Sequence, residues 1–171
     1  MPRNAFQAVA FLLGFWTALW LSPLTLRIAS AETNLEGFPN SLESALHEAV
    51  NATRLQHKRI ALVRLPELDA VARAHSADMA SRRYFSHVSP EGSNPVDRIE
   101  RGGLAGFTLA AENLGQTDEA NPNSAILDGW LASADHRRNL LAPPFNATGI
   151  GIARSADGAL VYTQVYVTYP R

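Results

Sequence analysis

No cysteine occurs among the 171 residues. That absence excludes disulfides, thiol nucleophiles, cysteine metal sites and a lipid-modified N-terminal cysteine. Charge of one sign is also lacking: 15 Lys and Arg face 16 Asp and Glu. Two of the arginines, Arg3 and Arg27, fall in the first 31 residues, which hold no acid, so the remainder carries 13 basic against 16 acidic side chains. Nothing there resembles the basic surface that nucleic acid demands, and no nucleic-acid partner is expected. Internal repeats and low-complexity segments are absent, as are His-Glu-x-x-His and Gly-x-Ser-x-Gly.

The start of the chain is where long apolar character is concentrated. Arg3 precedes an apolar stretch over residues 5–21 that includes Phe11, Leu12, Leu13, Phe15, Trp16, Leu19 and Trp20. Ala29-Ser30-Ala31 then supplies the small-x-small pattern accepted by signal peptidase. Residues 1–31 therefore read as a secretory signal cleaved before Glu32, and the protein as secreted or periplasmic. The other reading is an uncleaved anchor, the one route to a membrane association; Gln7, Thr17 and Pro23 weigh against it. Residues 32–40 read as a polar leader and 41–171 as one domain, expected to be a monomer whose core suffices without disulfides.

Within that domain Ser41 reads as the N-cap of a helix reaching about His57, with Leu42, Leu46, Ala49 and Val50 on its apolar stripe. Residues 60–65 form an apolar connector. Pro66 opens a second helix whose face carries Leu68, Val71, Ala72, His75 and Met79. Residues 96–101 make a short helical turn before Gly102-Gly103, and residues 107–114 are extended. A third helix spans residues 123–133, and residues 136–141 form a short helix or turn before Pro143-Pro144. Residues 149–153 and 160–169 pair as a hairpin around Ser155-Ala156-Asp157-Gly158. Val161, Thr163, Val165 and Val167 alternate with Tyr162, Gln164, Tyr166 and Thr168. Helices followed by a closing hairpin predict a layered α/β or α+β domain.

Three residues fit no apolar stripe and are the candidates for chemistry. His87 lies in Ser86-His87-Val88-Ser89-Pro90, and His136 in Ser133-Ala134-Asp135-His136-Arg137-Arg138-Asn139. Glu112 stands among Ala110, Ala111 and Leu114, where a buried carboxylate needs donors or a cation. Two imidazoles and a carboxylate suit a divalent ion such as zinc, and equally suit proton transfer or a purely structural contact. His75 reads as a core histidine, and His47 and His57 as surface. Asn51-Ala52-Thr53 and Asn146-Ala147-Thr148 match the glycosylation acceptor pattern and are expected to be silent.

The blocks Tyr84-Phe85-Ser86-His87-Val88-Ser89-Pro90, Ala111-Glu112-Asn113-Leu114, Trp130 through Leu141, and Gly149-Ile150-Gly151 stand in an order that resembles the bacterial branch of the CAP superfamily. That superfamily comprises cysteine-rich secretory, antigen 5 and pathogenesis-related 1 proteins. The resemblance implies an α+β fold, a three-layer α-β-α sandwich with a central antiparallel sheet and an open cleft. It matches His87 and His136 to the two cleft histidines and Glu112 to an acid, with a divalent cation such as zinc as the expected cofactor. Ser133 stands where the animal and plant members carry a second acid. Ser86, Asn113 and Ser133 are expected to line the cleft around a small or extended ligand: a lipid, glycan or peptide. A hydrolase of cell-wall or peptide substrates, and a non-catalytic scaffold, are the alternative functions.

Overall fold

The computed structural model describes residues 23–170, with side chains from Asn40 onward. The signal-sequence expectation thus falls largely outside the described residues. The first helix, α1, spans Pro23–Gln56. It starts well before Ser41, because the Ala, Leu and Glu content of residues 29–36 favours helix. Ser41 is therefore not an N-cap and residues 32–40 are not irregular.

The other elements follow the predicted order. They are β1 (Val63–Arg64), α2 (Pro66–Arg82), α3 (Pro95–Arg101), β2 (Leu109–Thr117), α4 (Pro122–Ala132), α5 (Ala134–Leu140), β3 (Ala147–Arg154) and β4 (Leu160–Thr168). The four strands form one sheet in the order β1-β3-β4-β2. β4 is antiparallel to both β3 and β2, but the two-residue β1 pairs parallel to β3. The sheet is thus antiparallel except at that edge, and the connector of residues 60–65 contains a strand. Among the described residues no helix is long and apolar enough to cross a membrane.

Helices cover both faces of the sheet, so both faces of β4 are buried. Val165 and Val167 pack with Leu68, Val71 and Ala72 of α2 and Ile99 of α3. Val161 joins Met79, Ala80 and Leu114 on the same side. Tyr162 and Tyr166 face the other layer, with Leu46 and Val50 of α1, Trp130 of α4 and Leu140 of α5. The alternation read from residues 160–168 is the division between these two cores.

Glycines set the spacing of α2 on the sheet. A Cβ at Gly149 would lie 2.2 Å from the Leu68 carbonyl carbon, and one at Gly151 would lie 2.0 Å from the Arg73 nitrogen. Only residues without a side chain let the helix backbone lie this close to β3. Beyond β1, acidic side chains take over the edge of β3. Asp69 accepts the Ile150 N–H at 2.8 Å and Glu43 accepts the Ile152 N–H at 3.2 Å. Arg64 and Arg73 neutralise these carboxylates. Glu43 is fully buried for this reason.

Arg54 is buried too, and its guanidinium donates to the carbonyls of Ile60, Leu140, Ala142 and Phe145. It ties α1 to the end of α5 and the segment leading into β3. His47 is half-buried rather than fully at the surface, with Nε2 3.1 Å from the Leu62 carbonyl. Asn51 donates to the Leu62 carbonyl and accepts its N–H, and Asn146 bonds to the Tyr169 backbone, so both acceptor-pattern asparagines serve the fold.

Candidate functional site at the edge of strand β2

β2 is the sheet edge opposite β1, and alternate residues of an edge strand face opposite layers. Glu112 points with Leu114 toward the α2 side, while Asn113 points toward α5. The site forms where these layers meet.

Asn113 is completely buried, and its amide donates to the His136 carbonyl at 3.0 Å and to the Tyr166 hydroxyl at 3.2 Å. Tyr166 donates to Gln164, whose amide donates to Thr148. Asn139 of α5 donates to the Asn113 side-chain oxygen and to the Glu112 carbonyl. A polar chain through the core thereby fixes the turn of α5 that carries His136. Asn113 is thus a positioning residue beneath the site and not part of a cleft wall.

On the α2 side, Glu112 is the hub. Its side chain is only 1% exposed. Oε1 lies 2.8 Å from His87 Nδ1, and Oε2 accepts from Arg98 at 2.7 Å. Arg98 comes from α3 and also donates to the carbonyls of Ser93 and His87, holding the segment between α2 and α3 against β2. A buried carboxylate shared by a guanidinium and an imidazole satisfies the demand its sequence context posed. His75 stands behind, 3.9 Å from Glu112, with its Nε2 3.1 Å from the Ser86 carbonyl. Burial, partly offset by Glu112, holds its pKa below the ordinary histidine value.

His87 is half exposed. His136 is half-buried, and burial first, then the neighbouring His87, lowers its pKa. The structure thus joins His87 to Glu112, with His136 near enough for His87 to influence its pKa, and not as three equal ligands. Glu112 has one oxygen on His87 and the other on Arg98, so it stands behind His87. Among the described residues no three His, Asp or Glu side chains are arranged to hold an ion together. The side chains here that could hold an ion are the two imidazoles. With Nδ1–H given to Glu112, His87 presents Nε2 as a lone-pair donor.

The expected cleft serines differ from one another. Ser86 Oγ accepts the Val88 N–H at 3.1 Å and shapes the turn. Ser133 sits in extended conformation between α4 and α5, half-buried, without a side-chain capping bond. Among the described residues neither serine hydroxyl is hydrogen-bonded to a histidine, so the geometry gives no serine nucleophile with its base. Phe85 and Val88, 51% and 46% exposed, flank His87 as apolar shoulders. Two cavities of about 580 and 600 Å³ lie nearby, and neither is lined by His87 or His136. Sequence reasoning missed Arg98; a lone arginine in a short amphipathic turn carries no signal until the carboxylate opposite it is placed.

Comparisons agree with this architecture. Residues 47–166 match the model of the cysteine-rich secretory protein family, CAP. Bacillus subtilis YkwD is 29% identical over 147 residues, covering 85% of this chain and 54% of YkwD. The B. subtilis membrane protein YlbC is 33% identical over 125 residues, covering 73% of this chain and 34% of YlbC. The chain therefore spans about half and a third of these relatives. Among solved structures, an extracellular SCP-domain protein from Bacillus anthracis superposes with TM-score 0.67 at 34% identity, covering 76% of this chain and 41% of that one. An outer surface protein from Borrelia burgdorferi shares the fold at TM-score 0.69 and 18% identity, covering 76% and 94%. With helices on both faces of its sheet and the family pattern running from α1 to β4, this cysteine-free chain belongs to the cysteine-rich secretory protein (CAP) family.

Proposed function

We propose that the chain is an exported binding domain, secreted or periplasmic. His87 and His136 hold a divalent cation, zinc first, and a bound ligand completes the coordination. The observation that carries this reading is the Glu112–His87 hydrogen bond. It uses Nδ1 and leaves Nε2, on a half-exposed ring, as a metal donor. His136, whose pKa is lowered by burial and by His87, supplies the second imidazole. Two protein donors leave coordination positions open on a four-coordinate ion, which a ligand oxygen fills. The ligand is a lipid, glycan or peptide whose apolar part rests on Phe85 and Val88. When bound, the ion supplies a Lewis-acid anchor for that oxygen. The chain's own residues orient the donors, with Arg98 fixing Glu112, Glu112 fixing His87 and Asn113 fixing His136. Calorimetric titration of the purified domain with zinc tests the reading: binding that disappears in His87→Ala and His136→Ala supports it, and binding unchanged in both contradicts it.

A further inference from the structure

A separate cavity of about 600 Å³ opens between α2 and α3, beneath the turn of residues 89–93. Neither His87 nor His136 lines it. His75 and Arg98 line it with side chains 1% and 10% exposed. Each keeps one buried nitrogen without a partner among the described residues, His75 Nδ1 and Arg98 Nε.

The two orphans are complementary. His75 Nε2 faces the Ser86 carbonyl, which only accepts, so Nε2 carries the ring proton and Nδ1 is a lone-pair acceptor. Arg98 Nε–H is a donor at any pH. A hydroxyl group donates and accepts through one oxygen, so it complements both kinds of group. Burial of His75, which keeps the ring neutral, favours the same arrangement.

The cavity rim selects against charge. Arg82 is paired with Glu91 and Asp78, and the Arg98 charge is matched by Glu112. Arg101 and Glu67 add one charge of each sign to the lining. Exposed Ala70 and Ala74 of α2 give a smooth apolar strip across one wall. Carboxylates and guanidiniums in equal number beside an apolar strip suit a ring with hydroxyls at its edge and C–H groups on its face. The volume is within the range of small-molecule sites, roughly 300–1,000 Å³.

We infer that this cavity is a saccharide subsite, independent of the metal-facing histidines, in which a sugar hydroxyl bridges His75 Nδ1 and Arg98 Nε as the 89–93 turn shifts to admit it. The test is a two-dimensional amide NMR titration of the exported domain with N-acetylglucosamine and with cellobiose. The expected result is saturable shifts at His75, Arg98, Ser93 and Gly102. Ala74→Leu, at an exposed helix position, narrows the cavity without touching the core and should abolish them. His75→Phe keeps the ring but removes the acceptor, and should weaken binding about tenfold, the change that loss of roughly one hydrogen bond brings. The His87→Ala/His136→Ala double variant should bind sugar as before, which separates this subsite from the metal reading. Absence of saturable shifts with either sugar, an ordered water being the sole occupant, would overturn the inference. So would shifts confined to His87 and His136, or binding unaffected by Ala74→Leu.

Discussion

Glu112 and His87 are joined by a 2.8 Å contact from Oε1 to Nδ1, and the same carboxylate accepts from Arg98 through its other oxygen at 2.7 Å. One buried acid therefore orients an imidazole and pins α3 to β2. Removing Arg98 strands that charge. Arg98→Met should cost about 3 kcal/mol or more, the scale for breaking a buried ion pair from one side. The Arg98→Met/Glu112→Gln double variant should recover much of the loss, because no unpaired charge is left behind. Urea unfolding of the three proteins checks this.

The glycine spacing of β3 predicts a sharp contrast. Gly149→Ala or Gly151→Ala places a methyl inside the α2 backbone and should cost at least about 3 kcal/mol, the upper end for overpacking. Gly129 lies inside α4 with nothing within 4 Å of an added Cβ. Gly129→Ala should therefore stabilise by about 0.5–1 kcal/mol, the usual helix preference. Thermal unfolding distinguishes the two classes.

Much of this was legible in the sequence for identifiable reasons. The alternation of residues 160–168 survives because both faces of β4 are buried by different layers, and the Gly-x-Gly spacing is the footprint of α2. Trp130, on an apolar helix face, is core as that face demands, with its indole N–H donating to the Leu114 carbonyl. What escaped was polar and long-range. Glu43 and Asp69 look like solvated helix acids until β3 offers them unpaired N–H groups. Asn113 looks like a cleft residue until Tyr166 and His136 are placed beside it. Arg54 resembles any arginine near a helix end, yet four carbonyls converge on it from segments up to 91 positions away.

Arg54→Leu should accordingly be among the most damaging single changes. It keeps the bulk but leaves four carbonyls without their charged donor in buried or partly buried surroundings. A loss of about 3 kcal/mol or more is expected, given roughly 1–3 kcal/mol for each group left unsatisfied. Expression yield and chemical unfolding report it.

Acid should weaken the fold through histidine. His75 and His136 have folded pKa values below the ordinary one of about 6.5. The unfolded chain therefore takes up protons first as pH falls. Their contribution is fully present above about pH 6.5 and is lost as pH drops through the folded values. The unfolding temperature should decline from pH 7.5 to pH 5.5, and His75→Phe should flatten that decline.

The exported form should begin at Glu32, after Ala29-Ser30-Ala31. Intact-mass measurement of protein recovered from the medium or periplasm reports this directly. A mass that retains residues 1–31 would mean an uncleaved anchor.

The metal site proposed at His87 and His136 is a two-imidazole site backed by Glu112. Calorimetric titration with zinc at pH 7.5 and pH 5.5 tests it most directly, because imidazoles bind metal only while neutral. Binding is expected at pH 7.5, with marked weakening at pH 5.5 and none in the His87→Ala/His136→Ala double variant. Glu112→Gln should retain binding weakened about 10- to 100-fold, as expected for a group behind the ligand. Equal affinity at both pH values, or full affinity in the double variant, would rule out a two-imidazole site.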